Sequence, residues 1–227
     1  MNEAERIDKR TFCERCGTCC IKGGPTLHTE DLRLFKDGLL NYRQVYTLRK
    51  GELVQEQIQG GLLPLEEEIV KIRGIGDSRW TCLVYDDDEK ECTIYEDRPA
   101  ECSIFNCWAP EDLEAMYRKG RLTRLDIVPQ GSALAELITT HEAEVPVAGI
   151  EALAVAFLKG DEAAGSRLAD KILWDAAFRS AFAEKTETGD EEMNFFFGRP
   201  LKLVIRQFDL EIVRGEEGQY LVRKTSE

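Results

Sequence analysis

The chain has 227 residues, of which 43% are hydrophobic and 32% are charged, so it can bury a core and is not compositionally disordered. Its formal net charge of −13, with no Lys/Arg cluster beside the cysteines, argues against binding to nucleic acid phosphates. The polar first ten residues lack the apolar stretch of a secretory signal, and no apolar run approaches the roughly 18–20 residues of a membrane span. We therefore expect a cytoplasmic protein with no membrane interaction.

Eight cysteines stand out, and four of them fall within the segment CERCGTCC at residues 13–20. Clustered thiols are disulfide halves, redox centres or metal ligands, and nothing in the sequence indicates the oxidising compartment that a disulfide framework needs. Because thiolates are soft donors that favour zinc or iron, including iron–sulfur clusters, metal ligation is the preferred interpretation. The predicted ligands are Cys13, Cys16, Cys19, Cys20, Cys82, Cys92, Cys102 and Cys107.

The spacing within the first cluster leaves the number of metals open. Two residues separate Cys13 from Cys16 and Cys16 from Cys19, so each pair of sulfurs can reach one ion. Cys19 and Cys20 are adjacent, and neighbouring side chains tend to point apart, so both would reach one ion only with an unusual backbone. Otherwise one of them bridges a second metal, ligates nothing or serves redox chemistry. The run departs from the bacterial ferredoxin pattern, yet a [4Fe–4S] cluster with a distant fourth ligand stays compatible with it.

A helix and then strands are predicted between the two cysteine segments. In HTEDLRLF at 28–35, Thr29 is the expected helix cap, with acidic residues in the first turn. His28 precedes this cap and is interpreted as a packing or surface histidine rather than a ligand. The alternating stretches at 43–54 and 67–74 predict strands, and Gly60, Gly61 and Pro64 predict a loop between them.

The second cysteine segment, WTCLVYDDDEKECTIY at 80–95, predicts a β-hairpin. If the loop is the five residues 86–90, Val84 faces Cys92, and Cys82 then lies on the same face as Cys92. A slip of one residue would place the two cysteines on opposite faces. A shared metal site therefore predicts the five-residue loop.

A helix is predicted to follow, with Pro99 as its first residue and Cys102 about one turn inside it. Arg98 either donates a hydrogen bond to a thiolate or pairs with a carboxylate, and the sequence leaves both interpretations open. Cys107 is the least certain ligand, since a buried structural cysteine is an equally good interpretation.

The remainder of the chain is predicted to be mainly helical. PEDLEAMYRKG at 110–120 is typical of a helix ended by Gly120, and further helices are predicted at 132–143, 146–159 and 161–185, the last capped by Asp161. A short helix within 199–208 and a hairpin over 210–224 complete the chain. His141 lies far from the cysteines and is given no metal role.

Taken together, the cysteine segments resemble the YkgJ-type CxxCxxCC cysteine-cluster family, described as a zinc- or iron-chelating domain. The matching residues are CERCGTCC at 13–20, TEDL at 29–32, CLVYDDDEKECTIYEDRP at 82–99, and Cys102. The resemblance implies metal binding by Cys13, Cys16, Cys19, Cys20, Cys82, Cys92 and Cys102. One departure is Ser103, where the family usually has arginine. Flagellin lysine N-methylases look like relatives in their cysteine cluster, which implies iron–sulfur-dependent methyl transfer as one use.

These observations predict an α+β protein. A cysteine-rich, metal-organised module over 1–109 precedes a mainly helical region over 110–227 that ends in a β-hairpin. Three functions remain open. The first is a metal-binding protein whose zinc or iron site is structural or mediates contact with a protein partner. The others are an iron–sulfur enzyme and a thiol redox or metal sensor that uses Cys19 and Cys20.

Overall fold

A computed structural model describes residues 11–56, 60–75, 80–216 and 218–225. Its strands are β1 (Val45–Leu48), β2 (Leu53–Gln55), β3 (Leu62–Pro64), β4 (Ile69–Ile72), β5 (Gly74–Ile75), β6 (Thr81–Cys82), β7 (Tyr85–Asp86), β8 (Glu91–Cys92), β9 (Leu210–Arg214) and β10 (Tyr220–Lys224). Its α-helices are α1 (Leu32–Lys36), α2 (Ala100–Ile104), α3 (Glu111–Met116), α4 (Arg124–Ile127), α5 (Ala133–Glu144), α6 (Val147–Leu158), α7 (Glu162–Thr186), α8 (Asp190–Phe196) and α9 (Leu201–Val204). Short 3₁₀ helices cover Cys20–Lys22, Thr29–Asp31, Tyr42–Gln44, Tyr95–Asp97 and Ile205–Phe208.

The predicted α+β class is confirmed. The strands pair two by two as β1–β4, β2–β3, β5–β6, β7–β8 and β9–β10. The pairs β2–β3, β5–β6, β7–β8 and β9–β10 are antiparallel, and the sheets before residue 100 are small. The part of the chain after residue 110 is mainly helical and ends in the hairpin β9–β10.

The chain divides into two compact units that interleave along the sequence. Of the described residues, the first unit contains 11–46 and 69–127, and the second contains 47–56, 60–68 and those from 128 onward. The predicted division after residue 109 remains a prediction.

Extended segments outside the regular strands also hold the first unit together. The Leu27 N–H donates to the Val70 carbonyl at 2.8 Å, and the Leu122 N–H donates to the Leu27 carbonyl at 2.9 Å. Gly24 lets two backbones approach closely, because a Cβ there would overlap the carbonyl of Ile72. The cysteine segments lie on this framework, whose interior includes fully buried Leu27, Val70 and Leu122.

The predicted cap at Thr29 is wrong. His28 is the N-cap of the 3₁₀ helix Thr29–Asp31, and the carboxylate of Asp31 accepts the His28 N–H at 2.9 Å. The predicted loop at 60–64 is also corrected, because Leu62–Pro64 pairs with Leu53–Gln55 as an edge hairpin. Proline is tolerated there because a two-stranded edge does not require its missing N–H.

In the second unit, the predicted long helices are confirmed to within a residue as α5, α6 and α7. Asp161 caps α7 as expected, because its side chain accepts the Ala164 N–H at 3.0 Å. Helices α6 and α7 pack closely, and a Cβ at Gly165 would lie 2.5 Å from Cδ2 of Phe157. The core of this unit combines residues from both helices with Leu201, Ile205 and Leu210.

Candidate metal centre

The first cysteine segment is irregular until the 3₁₀ helix Cys20–Lys22. Arg15 and Gly17 have positive φ angles of 55° and 74°, which bend the loops between the spaced cysteines. Gly17 is buried against the Tyr85 hydroxyl, which a Cβ would overlap. The Ile21 N–H donates to the Gly17 carbonyl at 3.0 Å, and the 3₁₀ helix contacts β6. The segment therefore lies beside Cys82.

The adjacent cysteines do not point apart. The Sγ atoms of Cys19 and Cys20 are 3.9 Å from each other, with Cys19 in a helical conformation. Two thiolates on one tetrahedral ion, with metal–sulfur bonds of about 2.3 Å, would lie about 3.8 Å apart. The expectation that these sulfurs diverge is therefore wrong, and the pair fits a single soft ion.

This close contact gives the two thiols unequal acidity. The hydrogen bond from the Cys20 thiol is the largest influence on Cys19, and it lowers the pKa of that thiol to about 6 against the opposing effect of burial. The same bond, together with burial, raises the pKa of Cys20 above its ordinary value. The lowered pKa of Cys19 favours its thiolate, which is the form of cysteine that binds metals.

The hairpin of the second cysteine segment has a different register from the predicted one. Tyr85 pairs with Cys92, and Asp86 pairs with Glu91, so the loop has four residues, 87–90, and the five-residue loop is wrong. The carboxylate of Asp86 accepts the N–H groups of Asp88 and Glu89 at 2.9 and 3.0 Å. With this side-chain turn the loop has four residues, so the ladder has one residue pair more than the predicted hairpin.

The prediction that Cys82 and Cys92 share one sheet face is wrong for a second reason. Cys82 does not belong to the same ladder as Cys92. Cys82 lies in β6, which pairs with β5, and a turn at Leu83–Val84 separates β6 from β7. Strand alternation therefore does not carry from Cys82 to Tyr85. Cys82 still lies near Cys92. Burial raises the pKa of Cys82 to about 11, and the charges of Cys92 and Cys19 add to this effect.

Cys102 is carried by α2, whose N-cap is Pro99 rather than its first residue. Asp31 accepts the Ala100 N–H at 2.8 Å and so caps this helix from a distant part of the sequence. The carboxylate of Glu101 accepts the Thr26 N–H at 2.8 Å. These bonds fix the helix that positions Cys102, and no sequence motif indicated them.

Five thiols share one electrostatic neighbourhood: Cys19, Cys20, Cys82, Cys92 and Cys102. Desolvation raises the pKa of Cys102 well above its ordinary value, and nearby Cys82 and Cys19 add to this, although the residue keeps an exposed side. Burial likewise raises the pKa of Cys92. Mutual repulsion of this kind is relieved when a cation binds the thiolates.

The other three cysteines, Cys13, Cys16 and Cys107, are not part of this group of five. Cys16 lies 3.3 Å from the Thr18 hydroxyl and, like Cys20, acts electrostatically on Tyr85. Cys13 is exposed, and Cys107 is half-buried in the turn after α2. Within the described residues, no three Cys, His, Asp or Glu side chains stand ready as a coordination sphere. All eight cysteines are free thiols, and their assignment as ligands stays a prediction.

Two basic side chains lie near the five thiols. Lys71 of β4 donates to the Thr26 hydroxyl at 3.3 Å and interacts electrostatically with Glu101, Cys82 and Cys102. Arg98 opposes the effect of burial on Cys92 by lowering its pKa. Arg98 also donates to the Cys102 and Tyr95 carbonyls at 3.3 and 3.1 Å. A positive charge therefore lies beside the cluster.

His28 is a packing residue, as expected. Its side chain is fully buried, Nδ1 donates to the Lys119 carbonyl at 2.7 Å, and Nε2 lies 3.3 Å from a Glu101 oxygen. Burial lowers its pKa, but Glu101 and the Lys119 carbonyl outweigh this, so the net pKa is raised. The charged imidazole satisfies both partners because both ring nitrogens then donate.

His141 belongs to a buried polar cluster in the second unit. Its Nε2 lies 2.7 Å from Asp175, which also accepts from Arg179 Nε at 2.9 Å and from the Leu201 N–H at 2.9 Å. The rings of Trp174, Phe178 and Phe197 surround it. Burial lowers the pKa of His141 in spite of Asp175. This cluster orients α7 and the start of α9.

Comparison with known protein families finds a match for the part of the chain that contains both cysteine segments. The family model CxxCxxCC, described as "Putative zinc- or iron-chelating domain", matches residues 12–121. No curated protein and no solved structure matches the chain. Among the described residues, no helix is both long and apolar enough to cross a membrane. Residues 12–121 of this chain are therefore similar to the CxxCxxCC family, described as a zinc- or iron-chelating domain.

Proposed function

We propose that the chain binds one zinc or iron ion through four thiolates drawn from Cys19, Cys20, Cys82, Cys92 and Cys102. The observation that carries this proposal is the 3.9 Å separation of the Cys19 and Cys20 sulfurs. In a [4Fe–4S] cluster the four cysteines ligate four different irons, whereas a tetrahedral ion takes all four thiolates itself. Two sulfurs at this distance therefore favour a mononuclear tetrathiolate site.

The environment of the five thiols supports the same proposal. They come from the 3₁₀ helix and the residue before it, β6, β8 and α2, so an ion held by them would join elements that are far apart in sequence. Metal-binding free energy at such a site contributes to folding free energy. We propose a structural role on this basis, in a reducing compartment such as the cytoplasm, where free thiols persist.

Elemental analysis and a visible spectrum of anaerobically purified protein test this proposal. We expect one zinc or iron per chain, without acid-labile sulfide. Cobalt substitution should give the intense sulfur-to-metal absorption of a tetrahedral thiolate site. Protein that binds no metal would refute the proposal.

An iron–sulfur cluster is the second candidate, favoured by the two-residue spacing of Cys13, Cys16 and Cys19. Iron with equimolar acid-labile sulfide and a broad visible absorption would support it and overturn the mononuclear site. That result would make methyl transfer the reaction to assay.

Serine substitutions distinguish the five clustered thiols from the marginal ones. Among Cys19→Ser, Cys20→Ser, Cys82→Ser, Cys92→Ser and Cys102→Ser, four variants should each reduce zinc affinity by about 10-fold or more, since each of these loses a ligand outright. Cys107→Ser is the control and should leave affinity unchanged. The measurement is competition with a chromophoric chelator. Equal losses for all these variants would contradict the proposed ligand set.

A protein partner is the remaining part of the proposal. Phe12, Ile21 and Trp80 expose 68%, 48% and 61% of their surface close to the cysteine segments. Contiguous exposed apolar patches mark contact surfaces, and we propose that these three side chains form one such patch. Cross-linking of the metal-loaded chain, compared with a Phe12→Ser and Ile21→Ser double variant, tests whether this surface binds a protein.

A further inference from the structure

Arg15, in the middle of the first C-x-x-C loop, lies against an aromatic ring of the second cysteine segment. Its guanidinium carbon is 3.7 Å from the centroid of the Tyr95 ring. The guanidinium carbon of Arg98 is 4.3 Å from the same centroid. Two cations therefore interact with one ring, and we call Arg15, Tyr95 and Arg98 the Tyr95 stack. Such contacts are attractive because the ring face carries negative potential.

Hydrogen bonds fix the Tyr95–Arg98 side of this stack. Arg98 donates to the Tyr95 carbonyl at 3.1 Å and to the Cys102 carbonyl at 3.3 Å. From α1, Arg33 donates to the Asp97 carboxylate and to the Asp97 carbonyl, both at 3.0 Å. The position of the Tyr95 ring is therefore tied to the helix that carries Cys102.

Among the residues that the structure describes, hydrogen bonds of this kind do not position the Arg15 side chain. Arg15 has a left-handed φ of 55°, which a non-glycine residue adopts only where its surroundings favour it. Its ion pair with Glu96 is 3.8 Å long, and the two side chains are 54% and 88% exposed. Solvent screens a pair of this kind strongly. The contact with Tyr95 is therefore the main interaction that we assign to the Arg15 side chain.

We propose that the Tyr95 stack holds the Cys13–Cys16 loop, which leads directly into the ligand candidates Cys19 and Cys20, against the second cysteine segment. By restricting the motion of these two thiolates, the stack slows the release of the bound ion. The inference rests on the proposed metal site and adds residues that control its exchange rate. Arg15 and Tyr95 are positioning residues, since they act on the ion through the loop and not as ligands.

Zinc-release kinetics of the metal-loaded full chain test this role. Loaded protein is mixed with excess chelator, and release is followed by absorbance. We expect Arg15→Gln to release zinc about threefold faster, and Tyr95→Leu about 10-fold faster because it removes both cation contacts. Tyr95→Phe keeps the ring face and should release zinc at the wild-type rate.

Two control variants separate the stack from general charge effects. Arg167→Gln removes an arginine of similar exposure, 64%, with an ion pair of similar length, 3.6 Å, far along the sequence. Glu96→Gln removes only the weak ion pair of Arg15. Both should release zinc at the wild-type rate.

The outcomes separate this inference from the metal site itself. A wild-type rate for Arg15→Gln, or equal acceleration by Tyr95→Phe and Tyr95→Leu, would overturn the role of the stack while leaving the site intact. Wild-type protein that binds no zinc would overturn both. If Tyr95→Leu does not fold, Arg15→Gln and its rescue by Arg15→Lys decide the question, because Arg15 is exposed and its replacement should leave the fold intact.

Discussion

At the scale of single residues, the candidate centre depends on a few backbone positions that place thiols side by side. Cys19 and Cys20 share a helical turn that brings their sulfurs to 3.9 Å. Gly17 lets the preceding loop lie against Tyr85. Individual residues therefore determine two features of the centre. These are the unequal acidity of Cys19 and Cys20 and the lack of room for a side chain at Gly17.

Replacing Gly17 by alanine should lower the free energy of unfolding by about 2–4 kcal/mol, from the left-handed φ and from overlap with Tyr85. Gly38→Ala is a matched control, because its φ of +73° is almost the same as the +74° of Gly17 and nothing lies within 4 Å of a Cβ there. It should cost only about 1–2 kcal/mol. Urea denaturation of the metal-free chain measures both. Equal losses would show that Tyr85 does not limit this position.

At the scale of elements, short segments are held by side chains from elsewhere in the chain. Helix α2 has five residues and lacks a local side-chain cap, yet Asp31 accepts its first N–H. Glu101 of the same helix accepts from Thr26 and contacts His28. Such helices are too short to be stable alone, so tertiary contacts determine where they form.

Asp31→Ala should therefore destabilise the fold by about 2 kcal/mol or more, since it removes a helix cap and leaves the Ala100 and His28 N–H groups without this acceptor. Asp37→Ala, an exposed acidic residue at the end of α1, is the control and should change stability by less than about 0.5 kcal/mol. Thermal unfolding followed by circular dichroism compares the two. Similar melting temperatures would contradict the capping role.

At the scale of the whole molecule, each of the two units buries one histidine, and the electrostatic settings of the two histidines differ. In the first unit, His28 faces Glu101 and Asp31, and its pKa is raised. In the second unit, His141 faces Asp175, Arg49 and Arg179, and its pKa is lowered, mainly by burial. Since the chain has only these two histidines, their titrations can be followed individually.

The two histidines should contribute to stability with opposite dependence on pH. The contribution of His28 is complete below the ordinary pKa of 6.5 and is lost as pH rises through its raised value in the folded chain. That of His141 is complete above 6.5 and is lost as pH falls toward its lowered value. Proton NMR of the imidazole C2–H signals should show one titration above and one below 6.5. His28→Gln and His141→Gln assign the signals, and shifts in the same direction would contradict the prediction.

The sequence by itself determined the long helices, the final hairpin and the similarity of residues 12–121 to a zinc- or iron-chelating cysteine domain. Periodicity and caps specify α5–α7 locally, and the order of the cysteines with the Ile-Tyr-x-x-Arg-Pro element at 94–99 specifies the family. These features depend on residues close to one another in the chain. The hairpin was predicted, but the register at Tyr85 and Cys92 was not, because the side-chain turn at Asp86 competed with the five-residue loop.

Only the tertiary structure decided which thiols become neighbours and what surrounds them. Cys82 and Cys92 come together although they belong to different ladders, and Asp31 caps a helix that begins 69 residues later. Lys71 reaches the cluster from β4, whose local pattern carries no sign of it. Contacts between distant segments depend on the free energy of packing the whole unit, which no local pattern of residues encodes.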